Sequence, residues 1–252
     1  MQTINKGDIF ILGNHKLMYG DSLSLTDVHK LLDGQKADMC WFDPPYSVNY
    51  QPEARRKGGR RVKTLGGIMN DINFQVTDLL DLIHTGICKG AVYMCCGTNQ
   101  IEQIYPWVFK NIGYRPTFIM WVKNEFSILA RDYHSQYEPM LYFYYPEKKF
   151  RGSRGQTDVW FFKRRNSQEY VHPTMKPVAL IQRAIENSSD QGDIVLDLFG
   201  GSGSTMIACE HTGRRCYMME LDPKYVEIII KRFEALTGIK AIKVDDLLKV
   251  GV

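Results

Sequence analysis

The stretch Asp43-Pro44-Pro45-Tyr46 constrains the fold of this 252-residue chain more than any other. It follows Ala37–Phe42, an apolar run that reads as a short interior strand. Two successive prolines lack the N–H groups that a ladder needs, so the strand must stop there. Pro44 also keeps Asp43 out of the helical region. The chain therefore leaves the carboxyl end of a strand as a stiff loop carrying an acid, two exposed carbonyls and an aromatic ring. Open α/β sheets bind their ligands at that edge.

A second loop of this kind comes late in the chain. Asp197-Leu198-Phe199-Gly200-Gly201-Ser202-Gly203-Ser204-Thr205 follows a short apolar strand at 193–196 and precedes a helical stretch at 206–210. Glycines between strand and helix let the backbone approach a ligand closely. About twenty residues on, after the apolar run 216–219, stands Glu220, followed by Leu221 and Asp222. An acid at that distance suits ribose hydroxyls. The loop lacks the Gly-Lys-Ser/Thr of a phosphate-binding P-loop, which argues against ATP.

Together, Asp-Pro-Pro-Tyr and Asp-Leu-Phe-Gly-Gly-Ser-Gly-Ser-Thr resemble the amino-group DNA methyltransferases that use S-adenosylmethionine. His172-Pro173-Thr174-Met175-Lys176-Pro177, just before the glycine loop, resembles their motif X. The catalytic motif precedes the cofactor motif, as in the circularly permuted β class. The resemblance spans about residues 7–238. It implies a doubly wound, mainly parallel seven-stranded α/β sheet of the Rossmann-like methyltransferase kind, with an antiparallel edge hairpin. It also implies a cofactor site formed by Asp21, His172, Thr174, Lys176, Asp197, Phe199, Gly200, Gly201, Ser202, Gly203, Thr205, Glu220, Leu221 and Asp222. Asp21, in a Gly-Asp that resembles motif III, would accept from the adenine amino group of the cofactor. The other reading of Asp21 is a helix N-cap, since 22–32 reads as helical.

Length allows one domain with a full core over residues 1–252. No run of eighteen apolar residues exists, so no membrane span is expected. The first residues show no apolar core of a signal peptide, and a cytoplasmic enzyme of a bacterium, archaeon or phage is expected. Six scattered cysteines show no metal-ligand spacing and read as buried free thiols. The net charge of +4 is unevenly placed. Residues 53–63 hold six basic residues against one acid, and 147–165 hold seven against two. Two basic segments on a mildly acidic body are the footprint of a polyanion-binding face. The candidate DNA contacts are Arg55, Arg56, Arg60, Arg61, Lys63, Arg154, Lys163, Arg164 and Arg165.

Strands alternating with helices predict a parallel, doubly wound sheet. The edge hairpin is expected at 117–122 and 138–145, with 123–137 as a loop over the site. The basic loop at about 50–68 and the segments 123–137 and 147–170 are the candidate recognition elements. No long stretch is left between Pro146 and His172 for a large target-recognition domain, so small loops or a separate partner would choose the target, or specificity is relaxed. A homodimer and a cognate restriction enzyme stay open as further partners.

The implied reaction moves a methyl group to the exocyclic nitrogen of a base. That nitrogen's lone pair is delocalised into the ring. Asp43 and the Pro44 carbonyl can accept its hydrogens, and a carboxylate also stabilises the positive charge that develops. A base within a duplex must be rotated out to reach them. Tyr46, held on the same turn by Pro45, offers the flipped base a flat face worth roughly 1–3 kcal/mol. Phe199 reads either as a ring against the sulfonium or as simple packing. Asp at the first motif position resembles adenine N6 enzymes. The alternatives are cytosine N4, an RNA or protein amine, or a catalytically inactive nucleic-acid-binding fold.

Overall fold

A computed structural model describes residues 3–46, 56–57, 60–61, 74–127, 132–163 and 175–246. In chain order its elements are β1 (Ile9–Leu12), β2 (His15–Tyr19), α1 (Leu25–Leu32), β3 (Ala37–Phe42), β4 (Arg56–Lys57), β5 (Arg60–Arg61), α2 (Val76–His84), β6 (Cys88–Cys95) and α3 (Ile101–Ile112). There follow β7 (Thr117–Ser127), β8 (Ser135–Tyr144), β9 (Val159–Phe161), α4 (Val178–Ser188), β10 (Ile194–Asp197), α5 (Ser204–Thr212), β11 (Arg215–Glu220), α6 (Pro223–Thr237) and β12 (Ile242–Lys243).

Among the described residues, ten strands form one sheet in the order β12-β1-β2-β11-β10-β3-β6-β8-β7-β9. The five central strands, β2-β11-β10-β3-β6, are parallel to one another. β3 and β10 are apolar almost throughout because helices cover both of their faces. On one face Val28 and Leu31 of α1, Leu79 and Ile83 of α2 and Ile104 of α3 close a core cluster. On the other, Leu180 and Ala184 of α4, Ala208 of α5 and Ile229 of α6 close a second. Helices from the first half of the chain thus take one face and those from the second half the other. All six cysteines are buried thiols. Among the described residues no helix is long and apolar enough to cross a membrane.

The seven expected strands are the run from β2 to β7, and the sheet is wider than that. β1 and β12 extend one edge antiparallel, and β9 adds to the other edge parallel to β7. The edge hairpin is present, but 123–137 is not the loop expected. β7 runs on to Ser127 and β8 begins at Ser135. Polar residues are tolerated there because this end of the hairpin projects past β6, whose last pair is Cys95 with Met140. Pro139 lies just beyond that pair, so β6 never asks for its missing N–H.

The second basic segment is split by the sheet. β8 runs antiparallel to β6, so the chain after it emerges at the amino ends of the parallel strands. There Lys149 pairs with Asp190 and Asp193, Arg151 makes two hydrogen bonds to Asp190, and Lys148 stands over the Tyr144 ring. Arg154 lies in the turn that follows, whose Arg151 N–H bonds the Asn187 carbonyl at the end of α4. Arg154 is therefore at the edge away from Asp43, which corrects its assignment as a DNA contact at the catalytic mouth. β9 then carries the chain back, and exposed Lys163 emerges at the catalytic edge. Arg55, Lys63, Arg164 and Arg165 lie outside the described residues, and at Arg56, Arg60 and Arg61 only the antiparallel β4–β5 backbone is described.

Candidate active site

The site forms where five parallel strands end together. Asp21 follows β2, Glu220 ends β11, Asp197 ends β10, Asp43 follows β3, and Gly97 to Gln100 follow β6. β3 and β10 are direct neighbours, so the loops singled out in the sequence face each other across one cleft. Asp43, Lys176, Phe199, Gly201, Ser202 and Thr205 are among its walls.

The glycine loop is shaped by backbone needs. Gly201 and Gly203 have φ of 51° and 80°, in the left-handed region that favours glycine. Gly203 is the N-cap of α5, which has no side-chain cap. The Gly201 N–H donates to Glu220 Oε2 at 2.6 Å, and the Asp222 N–H to Oε1 at 2.8 Å. Burial pushes the Glu220 carboxyl up to about 7, although those amides pull it down. Burial likewise raises Asp197 to about 7, against the Thr205 hydroxyl and the Phe199 N–H, which donates to Oδ1 at 2.9 Å. Phe199 meets the rings of Phe42 and Phe74 edge-on, so it packs as well as lining the cleft. Asp222 caps α6 by accepting the Lys224 N–H at 2.9 Å. Asp21 is not a helix N-cap. Ser24 caps α1, and Asp21 Oδ1 accepts the Leu23 N–H at 3.1 Å. The Gly20 N–H donates to the Glu220 carbonyl, which keeps Asp21 beside the cofactor loop. Two carboxyl groups at adjacent strand ends, an uncapped helix and a loop of glycines fit a ligand rich in hydroxyls with a carboxylate of its own. His172 and Thr174 lie outside the described residues.

The catalytic loop is held from α3's side. The Gln100 amide donates to the Pro45 carbonyl at 3.0 Å, and Asn99 donates to the Tyr46 carbonyl at 2.9 Å. Gln100 also accepts the Gly97 N–H at 3.2 Å and is buried. Of the three carbonyls after Asp43, these amides take two and leave that of Pro44. Neither amide was singled out in the sequence, where nothing distinguishes them from other helix-start residues. Gln100→Ala should cost about 1–3 kcal/mol of stability, because it strips two backbone partners. It should also slow turnover by loosening the loop. Urea unfolding and single-turnover rates measure the two effects separately.

Lys176 was expected at the cofactor, and its chain does line the cleft, but its ammonium sits on Asp43. Nζ lies 2.7 Å from each Asp43 oxygen and 3.2 Å from the Tyr46 hydroxyl. The Tyr46 hydroxyl donates to Asp43 Oδ1 at 2.9 Å. Behind Lys176 stands Glu138, itself paired with Lys123 at 2.6 Å. Burial raises the Asp43 carboxyl, against the lowering pull of Lys176. Glu138 is also buried, yet Lys176 and Lys123 draw it down to about 2. Glu138 and Lys123 escape sequence reading because they lie in strands of ordinary amphipathic composition. The one signal is a Glu before a Pro inside a run of buried residues.

These features set the Asp43 loop beside a glycine loop at the carboxyl edge of a doubly wound α/β sheet. Residues 37–231 match the family model described as DNA methylase (N6/N4 methyltransferase). Over 82% of its length the chain is 27% identical to the type II methyltransferase M.HpaI of Haemophilus parainfluenzae, of which it covers 71%. Over 93% it is 24% identical to the DNA adenine methyltransferase YhdJ of Escherichia coli K12, covering 86% of that protein. Among solved structures, the M1.HpyAVI–SAM complex superposes with a TM-score of 0.64 at 23% identity, covering 86% of this chain and 98% of that one. The chain belongs to the DNA methylase family.

Proposed function

We propose that this DNA methylase transfers a methyl group from S-adenosylmethionine to the exocyclic N6 of an adenine rotated out of duplex DNA. The observation that carries the reading is the pairing of the Asp43 carboxylate with a Pro44 carbonyl left unengaged by the loop's clamps. Asp43 stands across one cleft from the glycine loop, with Pro44 next to it in the chain. When bound, S-adenosylmethionine supplies an electrophilic methyl group on a sulfonium. Glu220 and Asp197 would hold its hydroxyls and amino group, and Gly200 to Gly203 would lie against it. Asp43 and Pro44 accept the two hydrogens of the target amine, and the carboxylate stabilises the charge that grows on nitrogen. Tyr46 stacks on the base, fixed by its own hydrogen bond to Asp43. The fixed loop holds amine and donor in line, which removes much of the entropic barrier. Adenine is favoured over cytosine by the Asp at position 43, and the likeness to YhdJ points the same way. Mass spectrometry of nucleosides after incubating DNA with labelled cofactor tests this. N6-methyladenine is expected, and N4-methylcytosine alone would overturn it.

The Glu220 carboxyl adds a pH dependence. Its affinity for a proton is raised to about 7 by burial, and hydroxyl donors from a bound ligand favour the ionised form. Binding then expels a proton whenever the pH lies below about 7. S-adenosylmethionine affinity should therefore strengthen from about pH 6 to 8 and level off above. Glu220→Gln should bind more weakly and lose this part of the slope. Calorimetry at several pH values reads both; equal slopes in the two proteins would remove Glu220 from the cofactor site.

A further inference from the structure

The Asp43 carboxylate is already occupied. Lys176 lies on both of its oxygens and the Tyr46 hydroxyl on one. Lys176 also forms a longer ion pair, 3.2 Å, with Glu138 Oε2, a buried oxygen with no well-formed hydrogen bond among the described residues. Glu138 Oε1 is fixed by Lys123 at 2.6 Å. Lys176 and Lys123 are 5% and 6% exposed and Asp43 and Glu138 19% and 26%, so two buried cations and two half-buried anions form one neutral row.

This row conflicts with the acceptor role if it stays as it is. An amine can donate fully to Asp43 only where Lys176 does not. An ammonium on the same carboxylate also offsets the negative charge that should stabilise the amine as it becomes cationic. Removing the lysine altogether is no remedy, since a buried carboxyl without a cation takes up a proton. The unfilled oxygen of Glu138 resolves the conflict, because a shift of Lys176 toward it keeps the cation near while freeing Asp43.

We propose that Glu138 is a second seat for Lys176: as the target amine docks, the ammonium moves from the Asp43 oxygens onto Glu138 Oε2, leaving Asp43 ionised and open. Lys176 and Glu138 are then positioning residues that act through Asp43. Lys176 does not serve as a base. Burial disfavours its charge, but Asp43 and Glu138 outweigh burial and strengthen its hold on its proton. Among the described residues, the charged and titratable groups facing Asp43 are Lys176, Glu138, Tyr46, Asp197 and Cys95. The inference rests on the methyl-transfer reading above.

Single-turnover methylation of long unmethylated DNA, followed against pH, tests it with Lys176→Met, Glu138→Gln and the double variant. Calorimetry with S-adenosylmethionine and thermal melting accompany each. Lys176→Met leaves Asp43 buried without its cation, so the acid limb of the rate profile should move up by about one pH unit or more. The rate should recover toward wild type at alkaline pH. Glu138→Gln removes an anion near Asp43, so its acid limb should move down, while the plateau falls about tenfold or more because Lys176 stays on Asp43. The double variant should lose no more plateau than Lys176→Met, since Glu138 acts through Lys176. If Glu138→Gln does not fold, Glu138→Asp keeps a partner for Lys123 while drawing back from Lys176, and the same plateau loss is expected. A folded Glu138 variant at the wild-type plateau, additive losses in the double variant, or acid limbs moving the same way would overturn the inference. Wild-type protein that does not methylate DNA would instead sink the proposed function.

Discussion

Asp43→Ala is expected to slow methyl transfer at least about a hundredfold, roughly 2.7 kcal/mol of transition-state stabilisation. S-adenosylmethionine should still bind, because the glycine loop, Glu220 and Asp197 are built from other strands. The loss has two parts. The amine loses a hydrogen-bond acceptor, and the growing positive charge loses its counter-ion in a site where burial strengthens both effects. Asp43→Asn separates them, since it keeps an oxygen acceptor without the charge. Its rate should lie between those of wild type and Asp43→Ala. The fold is not at stake in either variant, because Lys176 keeps Glu138 as a partner. Single-turnover rates at saturating cofactor are the measurement, and a rate for Asp43→Ala near wild type would end the catalytic assignment.

The parts of this site that could be read in advance are those where one residue type dictates the backbone. Pro44 and Pro45 end β3 wherever they occur, and Gly201 and Gly203 supply positive φ that other residues adopt only under strain. Strand-then-loop placement followed, and with it the shared edge that holds Asp43, Asp197 and Glu220. What escaped was set by tertiary neighbours. Glu138 and Lys123 look like surface charges of a hairpin, and only the packing of β8 beside the Lys176 segment makes them a buried pair. Asn124, Glu125, Ser135 and Gln136 suit a loop, yet the hairpin pairs on beyond the end of β6, where these side chains stay wholly or partly exposed. β9 is three residues long, too short for any periodicity to show. Charge counting erred in the second basic segment for a similar reason. A sum over residues 147–165 cannot tell that a strand crosses the molecule between Arg151 and Lys163.

That crossing yields the other large effect. Replacing Arg55, Arg56, Arg60, Arg61, Lys163, Arg164 and Arg165 with Gln should weaken DNA binding by on the order of a thousandfold near 0.1 M salt. Each phosphate neutralised contributes about 0.9 to the slope of log affinity against log salt. If the wild type makes six contacts the slope is about −5, and if four of these are made by the seven replaced residues it flattens by about 3.6. The first four residues follow the Asp43–Tyr46 loop closely in sequence. The last three begin where β9 delivers the chain to the catalytic edge. These contacts would hold phosphates, so target and non-target duplexes should weaken alike. Lys148, Lys149 and Arg151 carry the same charge in the same segment but pair with Asp190 and Asp193 or sit on Tyr144 at the opposite edge. Replacing them with Gln should leave the slope unchanged. Binding titrations over a range of salt compare the two sets. Equal flattening by both would mean that DNA follows total charge rather than one edge of the sheet. A loss confined to one sequence would make the first set base-reading residues.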